Sequence, residues 1–441
     1  MSNVSVRLRL AAVAASSLLV VASLTIPAFA DSQARVVRLS QVQGDVQVDR
    51  NIGQGYEKAF LNLPITQGVK LRTRNDGRAE VEFEDGSTLR VTPDTVINFP
   101  QLSLRDSGAK VSAVHLQEGT AYVNFAGAKD DEFTLTFAHE KLSLAHAAHL
   151  RIEMADTTAT LAVFSGDGRV DGDSGSVAVD KKHTATFDLT DDDHYTLEKD
   201  LEPDPYDAWD KQQDQYQQQY ASNSYSSYSP YAYGSSDLNY YGSFSNVPDY
   251  GTVWQPYFAG GGWDPFMNGA WAFTPGFGYG WVSGYPWGWT PYHSGSWVHL
   301  PTGWAWQPGG PWSPWNAPRV VNPPSGFVLP RPPTNPGNGT IIVNRGPVPI
   351  QLGRSFNRLE ISKNSAGLGI PRGGIKDMSQ LSNTVQQKGF AETRVHTAPV
   401  GISWWNSGYT TPALSAGAGH GGAAPSATAG HSSSGHSSGH R

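Results

Sequence analysis

A short aromatic motif occurs twice in the middle of the chain. Residues 263–271 and 289–297 both follow the pattern W-x-P-x-x-x-G-x-W, and a looser copy spans 254–263. The 62 residues 254–315 hold eleven of the fourteen tryptophans, 19 aromatic residues in all, 13 Gly, 9 Pro and one formal charge. Repetition at this density indicates duplication of one short unit. It predicts a packing or binding module rather than a catalytic centre, which needs convergent titratable groups.

The first thirty residues have the features of an export signal. Arg7 and Arg9 precede an uncharged apolar run over 10–26, and small residues at Ala28 and Ala30 stand before Asp31. This pattern predicts cleavage after residue 30. The alternative is an uncleaved membrane anchor, because the run approaches the roughly 20 residues that span a bilayer. We expect an exported protein that resides in the periplasm, on the outer surface or outside the cell, with no transmembrane span after cleavage.

Composition divides the rest of the chain into unlike parts. With 441 residues there is room for two or three domains, and 48 Gly and 30 Pro predict that part of the chain lacks a compact core. Residues 31–215 carry 33 acidic and 19 basic residues, whereas 317–441 carry 3 acidic and 11 basic ones. Either of two interpretations explains this asymmetry: the two parts are solvated surfaces, or the basic part is an arm that contacts an acidic partner. The chain has no cysteine, so its stability depends on packing and hydrogen bonds.

Apolar and polar residues alternate over 36–190, and turn signals separate the alternating runs. Ala79–Phe83 and Leu89–Val91 alternate on either side of the turn at Asp85-Gly86, for example, and Asn75-Asp76-Gly77 marks the turn before them. Alternation with a period of two predicts strands that bury one face, and Asp-Gly pairs are typical of hairpins. The sequence therefore predicts an all-β domain.

The elements V-x-G-x-V at 42–46, G-V-x-L-x-T at 68–73, A-x-V-x-F-x-D-G-S-x-L-x-V at 79–91 and L-x-x-G-x-A-x-V at 116–123 follow one another in this domain. In this order they resemble the FecR domain, the periplasmic part of the ferric-citrate regulator, which recurs in exported bacterial proteins. The resemblance implies a solenoid or roll of short strands that binds partners in the cell envelope and catalyses nothing.

Beyond residue 190 the chain changes character. We interpret 191–249 as a polar linker rich in Gln, Tyr and Ser, in which 206–220 predicts a short polar helix. The Trp/Gly/Pro repeat module follows over 250–316 and resembles a second family, of exported FecR-type proteins with such repeats and no established activity. We expect 317–400 to be an extended or loosely folded Pro-rich basic arm, and 401–441 to be a disordered Gly/Ser/His tail.

No catalytic, cofactor-binding or metal site is predicted. Histidines in the tail are ligand types, but flexible ligands lose conformational entropy when they bind. His146 and His149 lie in strand-like sequence, where residues three apart face opposite ways, and the acidic run 191–193 lacks the spacing of a calcium loop. The sequence also contains no nucleotide-binding or hydrolase motif, and we expect neither enzymatic activity nor nucleic-acid binding.

Two interpretations of the tryptophans stay open. Exposed indoles can stack on sugar rings, whereas buried indoles would form the core of a segment with little other apolar material. We favour the core, because few side chains here could donate or accept the hydrogen bonds that confer specificity for sugars. The candidate binding or core residues are Trp254, Trp263, Trp271, Trp281, Trp287, Trp289, Trp297, Trp304 and Trp306.

The sequence as a whole predicts a non-enzymatic exported protein whose FecR-like domain binds a protein or another component of the envelope. One alternative is a FecR-like regulatory sensor that contacts another envelope protein. The other is a module that binds polysaccharide or peptidoglycan through exposed tryptophans.

Overall fold

A computed structural model describes residues 35–173, 175–190, 194–221, 229–274, 278–313, 319–334, 340–344 and 358–395. Strands dominate these ranges and helices are few and short, which confirms the predicted all-β class. No helix among them is long and apolar enough to cross a membrane. The predicted signal segment 1–30, the acidic run 191–193 and the tail 401–441 lie outside the described residues.

Seventeen strands form the first part of the fold. They are β1 Val37–Gln43, β2 Val46–Asp49, β3 Glu57–Lys58, β4 Pro64–Ile65, β5 Lys70–Thr73, β6 Arg78–Glu82, β7 Thr88–Val91, β8 Val96–Leu104, β9 Lys110–Phe125, β10 Glu132–Phe137, β11 Glu140–Leu144, β12 Ala148–Met154, β13 Thr158–Ser165, β14 Asp167–Gly172, β15 Gly175–Asp180, β16 His183–Asp188 and β17 Tyr195–Glu198.

These strands pair into two sheets that share β9. Sheet 1 has the order β4-β1-β6-β7-β9-β12-β13-β16-β17, and all of its pairs are antiparallel. Sheet 2 has the order β3-β2-β5-β8-β9-β10-β11-β14-β15, in which only β9 and β10 are parallel. From β1 in sheet 1 and from β2 in sheet 2, each next strand of the sheet comes later in the sequence, as expected for a roll.

Strand β9 passes from one sheet to the other at Gly119. Glu118 pairs with β8 in sheet 2, whereas Gly119 already pairs with β12 in sheet 1. The φ angle of Gly119 is +85°, and a Cβ atom there would lie 2.6 Å from the carbonyl oxygen of Asp94. A residue with a side chain would be strained at this corner, so glycine permits the single chain to connect the two sheets.

The main core lies between the two sheets. Alternate residues of the strands point inward and are almost completely buried, for example Val81 and Leu150 in sheet 1 and Leu71 and Leu116 in sheet 2. Alternation predicted that the opposite face of each strand would contact water. In sheet 1 the outer face of β6 and β7 is buried as well, because later parts of the chain pack against it.

The region interpreted as a polar linker contains two helices, α1 Asp207–Tyr220 and α2 Ser235–Tyr241. Helix α1 is the one that the sequence predicts over 206–220. Trp209 and Tyr216 of α1 and Leu238 of α2 are buried. This part of the chain therefore differs from a solvated linker, because the aromatic side chains between its polar residues bury themselves against the rest of the fold.

The Trp/Gly/Pro module folds into two small sheets and one short helix. The elements are β18 Gly242–Val247, β19 Gly251–Pro256, β20 Asn268–Thr274, β21 Gly278–Ser283, α3 Thr290–His293, β22 Ser296–Leu300, β23 Gly303–Gln307, β24 Arg319–Val321 and β25 Ile341–Asn344. Strands from both flanking regions, β18, β24 and β25, complete its sheets. The sheets have the orders β18-β19-β23-β22-β24 and β21-β20-β25.

Part of the region expected to be an extended arm is folded. Strands β26 Arg358–Ser362 and β27 Phe390–Arg394 pair antiparallel, and α4 Met378–Lys388 lies between them. Ile361 and Val385 are completely buried in the same apolar cluster as the tryptophans. The structure differs from the expectation here because the apolar residues of this region are too scattered to give a periodic signal, and the aromatic cluster supplies the surface against which they pack.

Candidate functional site

All nine candidate tryptophans are buried, and none exposes more than 5% of its surface. Eight belong to one aromatic cluster, and Trp289 packs apart from them with Val36 and Tyr233. Within the large cluster the ring of Trp287 lies 4.9 Å from that of Trp254 and 5.8 Å from that of Trp297. None of the nine indole faces is free to stack on a sugar.

Several of the buried indoles also have a hydrogen-bond partner. The Nε1 atoms of Trp254, Trp287 and Trp306 donate to the backbone carbonyl oxygens of Leu238, Ala366 and Ser294, at 2.8 to 2.9 Å. Trp263 donates to the hydroxyl of Tyr285 at 2.9 Å. A buried polar group needs such a partner to offset its desolvation, so these bonds fix the indoles in the core.

The last residues of each copy of the sequence motif lie in the first strand of a β-hairpin. Trp271 of β20 lies opposite Trp281 of β21, and Trp297 of β22 lies opposite Trp306 of β23. In each hairpin the glycine of the motif stands two residues before the tryptophan of the first strand, as Gly269 does before Trp271. A Cβ atom on Gly269 would lie 2.5 Å from the indole of Trp281, and one on Gly295 would lie 2.6 Å from that of Trp306. The glycine is required because the indole from the second strand lies across it.

A third hairpin of this kind lies upstream of the looser copy that the sequence suggested. Phe244 of β18 is opposite Trp254 of β19, and a Cβ atom on Gly242 would collide with that indole. Trp263, the end of the looser copy, lies outside any strand. The structural repeat is therefore a G-x-aromatic element with a Trp nine or ten residues after the aromatic residue. The pattern W-x-P-x-x-x-G-x-W does not include that second Trp.

A second constellation is a cluster of buried charges on the outer face of sheet 1. Its members come from four separate parts of the chain, and we call them the charge cluster. They are Arg38, Glu80, Glu82 and Arg90 from sheet 1, Asp210 and Asp214 from α1, Asp237 from α2, and Arg372 from the region before α4.

Arg90 joins sheet 1 to helix α1. Its Nε atom lies 2.7 Å from Glu80, and its Nη1 atom lies 2.6 Å from Asp210 and 2.7 Å from Asp214. His149 of β12 contacts the same two carboxylates, with Nε2 at 2.7 Å from Asp210 and Nδ1 at 3.4 Å from Asp214. Helix α1 is thus held to the sheet by Arg90 of β7 and His149 of β12, the two strands that flank β9.

Arg38 and Arg372 connect the remaining members. Arg38 contacts Glu82 at 3.0 Å and Asp237 at 2.7 Å, and it donates to the carbonyl oxygen of Pro286 at 2.7 Å. Arg372 contacts Glu80 at 2.7 Å and Asp237 at 2.8 Å. The two arginines therefore bridge the FecR-like sheet, the aromatic module and the folded part of the presumed arm.

Burial and ion pairing shift the pKa values of these groups in opposite directions. Burial favours the neutral form of Glu80, but Arg90 and Arg372 outweigh it and lower its pKa to about 2. For Glu82 burial prevails over the attraction of Arg38 and raises the pKa to about 7. Burial alone would lower the pKa of His149, yet its hydrogen bond to Asp210 raises it. Folding therefore shifts Glu82 towards its neutral form and His149 towards its protonated form.

His149, Asp210 and Asp214 are metal-ligand types close enough together to share an ion. Their surroundings do not suit a cation, because Nη1 of Arg90 already lies within 2.7 Å of both carboxylates. We interpret the group as an ion-pair network. The sequence offered no signal for it, since Asp210 stands 61 residues from His149. His146, its neighbour in sequence, is exposed and takes no part.

Two family models match separate parts of the chain. Residues 69–168 match the family described as FecR protein, and residues 235–324 match a family of unknown function, DUF6600. The chain thus contains a FecR-family segment followed by a DUF6600 segment, which confirms the resemblance that the sequence motifs indicated. No curated protein matches the chain.

Two solved structures of a candidate anti-sigma factor from Parabacteroides distasonis are similar to part of the chain. Each has 15% sequence identity and a TM-score of 0.28, and each alignment covers 32% of this chain. The chain spans 63% of the length of that protein.

Proposed function

We propose that this protein is an exported, non-enzymatic component of the bacterial cell envelope that acts by binding another envelope protein. The FecR-family segment supports a regulatory or sensory role of this kind. The predicted export signal supports the location, since an envelope partner would meet the protein after export.

The observation that carries the non-enzymatic part of the proposal is the closure of the charge cluster. A catalytic centre needs titratable groups that a substrate can reach. Arg38, Glu80, Arg90 and Arg372 expose at most 6% of their side chains, and each contacts at least two partners from separate elements. Groups paired in this way connect modules, and none of these four side chains is available to act on a substrate.

Burial of the tryptophans argues against the alternative that the module binds polysaccharide. Stacking on a pyranose ring needs an accessible aromatic face, and all nine candidate indoles are buried. The same burial favours the module as a structural partner of the FecR-like domain, because Arg38 and Asn62 of that domain donate hydrogen bonds to carbonyl oxygens of Ser283, Tyr285 and Pro286.

Cross-linking in intact cells followed by mass spectrometry tests the proposal, with fractionation to establish the compartment. We expect the protein in the envelope fraction, cross-linked to a small set of envelope proteins. Adsorption of the purified protein to peptidoglycan or polysaccharide, without any protein partner, would contradict protein binding and support the alternative. Recovery from the cytoplasmic fraction alone would contradict the proposed location.

A further inference from the structure

The two-sheet fold ends in two edge strands, β15 in sheet 2 and β17 in sheet 1. Within the described part of the chain β15 pairs with β14 alone, and β17 pairs with β16 alone. At the opposite end of the fold, Arg50, which follows β2, donates to the carbonyl oxygen of Phe273 in the aromatic module. Edge strands present unpaired N–H and C=O groups that can pair with another chain.

Strand β17 also exposes apolar side chains. Tyr195 and Leu197 are 39% and 46% exposed, and they are two of the four large apolar residues exposed among the described residues. They lie opposite Phe187 and Ala185 of β16, whose side chains are buried in the main core. Residues opposite one another share a face of the sheet, so Tyr195 and Leu197 extend the core face beyond the last covered strand.

The hydrogen bonds of the β16–β17 ladder show which backbone groups are directed away from it. The N–H of Asp188 donates to the carbonyl oxygen of His194 at 2.8 Å. Hydrogen-bonded pairs alternate along an antiparallel ladder, so residues 194, 196 and 198 bond to β16. The N–H and C=O groups of Tyr195 and Leu197 therefore point to the free edge, at the positions whose side chains are exposed.

The sequence of this edge is complementary to itself. If two copies of β17 pair antiparallel about a two-fold axis at Thr196, each Tyr195 lies opposite Leu197 of the second copy. His194 then lies opposite Glu198, and Thr196 lies opposite Thr196. Apolar pairs and Thr–Thr pairs across strands are favourable, and an imidazole can donate a hydrogen bond to a carboxylate. The outward backbone groups of Tyr195 and Leu197 satisfy each other in this register.

We propose that two copies of this chain associate through β17, in this register, to join their first sheets into one continuous sheet. A two-fold interface uses the same patch on both subunits, which is what a self-complementary strand provides. No Pro or Lys, the residues that commonly protect an edge, occurs between His194 and Glu198. Four residues form a small contact, so we expect a weak, concentration-dependent dimer.

A single introduced cysteine tests the register, since the chain has no other. In the proposed dimer Thr196 forms a non-hydrogen-bonded pair with itself, with Cα atoms about 4.5 Å apart, a separation that a disulfide can bridge. Thr196→Cys should form a covalent dimer under mild oxidation. Glu198→Cys lies on the same face of the same strand but opposite His194, so it should stay monomeric and is the matched control.

Sedimentation equilibrium of the unmodified protein and of Leu197→Pro supplies the second measurement. Proline removes one outward N–H from each copy, and therefore two hydrogen bonds from the dimer, while the bonds to β16 remain. We expect dimerisation to weaken by at least about tenfold. A chain that is monomeric at every concentration, with Thr196→Cys uncross-linked, overturns the proposal. So does equal cross-linking of Thr196→Cys and Glu198→Cys, or a dimer that Leu197→Pro leaves unchanged.

Discussion

Replacing Gly269 with Ala should destabilise the aromatic module, because the hairpin depends on the close approach of an indole to that glycine. The added Cβ atom would lie 2.5 Å from the indole of Trp281 and 2.6 Å from the carbonyl oxygen of Val282. The carbonyl belongs to the paired strand and cannot move without breaking the ladder. Trp281 is buried, with 4% of its surface exposed, and its ring packs against those of Phe266 and Trp271.

Two opposing effects determine how much Gly269→Ala changes the free energy of unfolding. Alanine restricts the unfolded chain more than glycine does and by itself would stabilise the protein by about 0.4–1 kcal/mol. Overpacking a filled core typically costs about 1–3 kcal/mol. We therefore expect a net loss of roughly 1–2 kcal/mol in the free energy of unfolding, measured by denaturant titration with tryptophan fluorescence.

Gly280 provides a matched control in the same hairpin. It lies on the strand opposite, and a Cβ atom there would have no neighbour within 4 Å. Gly280→Ala should therefore be neutral or slightly stabilising. Equal stability of Gly269→Ala and Gly280→Ala would show that the glycine does not accommodate the indole, and the interpretation of the repeat as a hairpin unit would have to be abandoned.

Four further predictions concern the core, the charge cluster and the N-terminus. Trp297→Ala should cost about 3–5 kcal/mol, because it leaves a cavity in the aromatic cluster; unchanged thermal unfolding would contradict a core role. Arg372→Ala leaves Glu80 and Asp237 one cation short and should cost about 3–5 kcal/mol, as measured by denaturant titration. The pKa of Glu82 rises from 4.5 to about 7 on folding, so its contribution to stability is complete below pH 4.5 and is lost as the pH rises through 7; Glu82→Gln should reduce that loss in titrations repeated across this range. N-terminal sequencing of the exported protein should begin at Asp31, and retention of the apolar run 10–26 would disprove cleavage.

The strands of the FecR-like domain could be predicted because their signals are local. Alternation and Asp-Gly turns fall within a few residues of each other, and burial of one face follows from them. Residues such as Val81 and Leu89 are buried as the alternation indicates. The same reasoning failed for their neighbours Glu80 and Arg90, since alternation states only that these residues face away from the first core.

What covers that outer face depends on contacts between residues far apart in sequence. Arg372 reaches Glu80 across 292 positions and Asp237 across 135. An isolated arginine in a Pro-rich, basic region looks like a solvated charge, and only the fold shows that it meets two carboxylates. The burial of helix α1 and the fold of residues 358–395 were not predicted for the same reason: their apolar residues are few, and the surface that buries them belongs to other parts of the chain.

The composition of the charge cluster suggests what it does for the fold. It holds five carboxyl groups and three guanidinium groups, and the raised pKa values of Glu82 and of the adjoining His149 both reduce this excess of negative charge. Buried ion pairs add little net stability compared with apolar residues, but removing one partner is strongly destabilising. Because each arginine bonds to more than one element, a misplaced α1 or a misplaced Arg372 would leave buried charges unpaired. The cluster therefore penalises partial assembly, and this penalty selects one arrangement of the aromatic module on the FecR-like sheet.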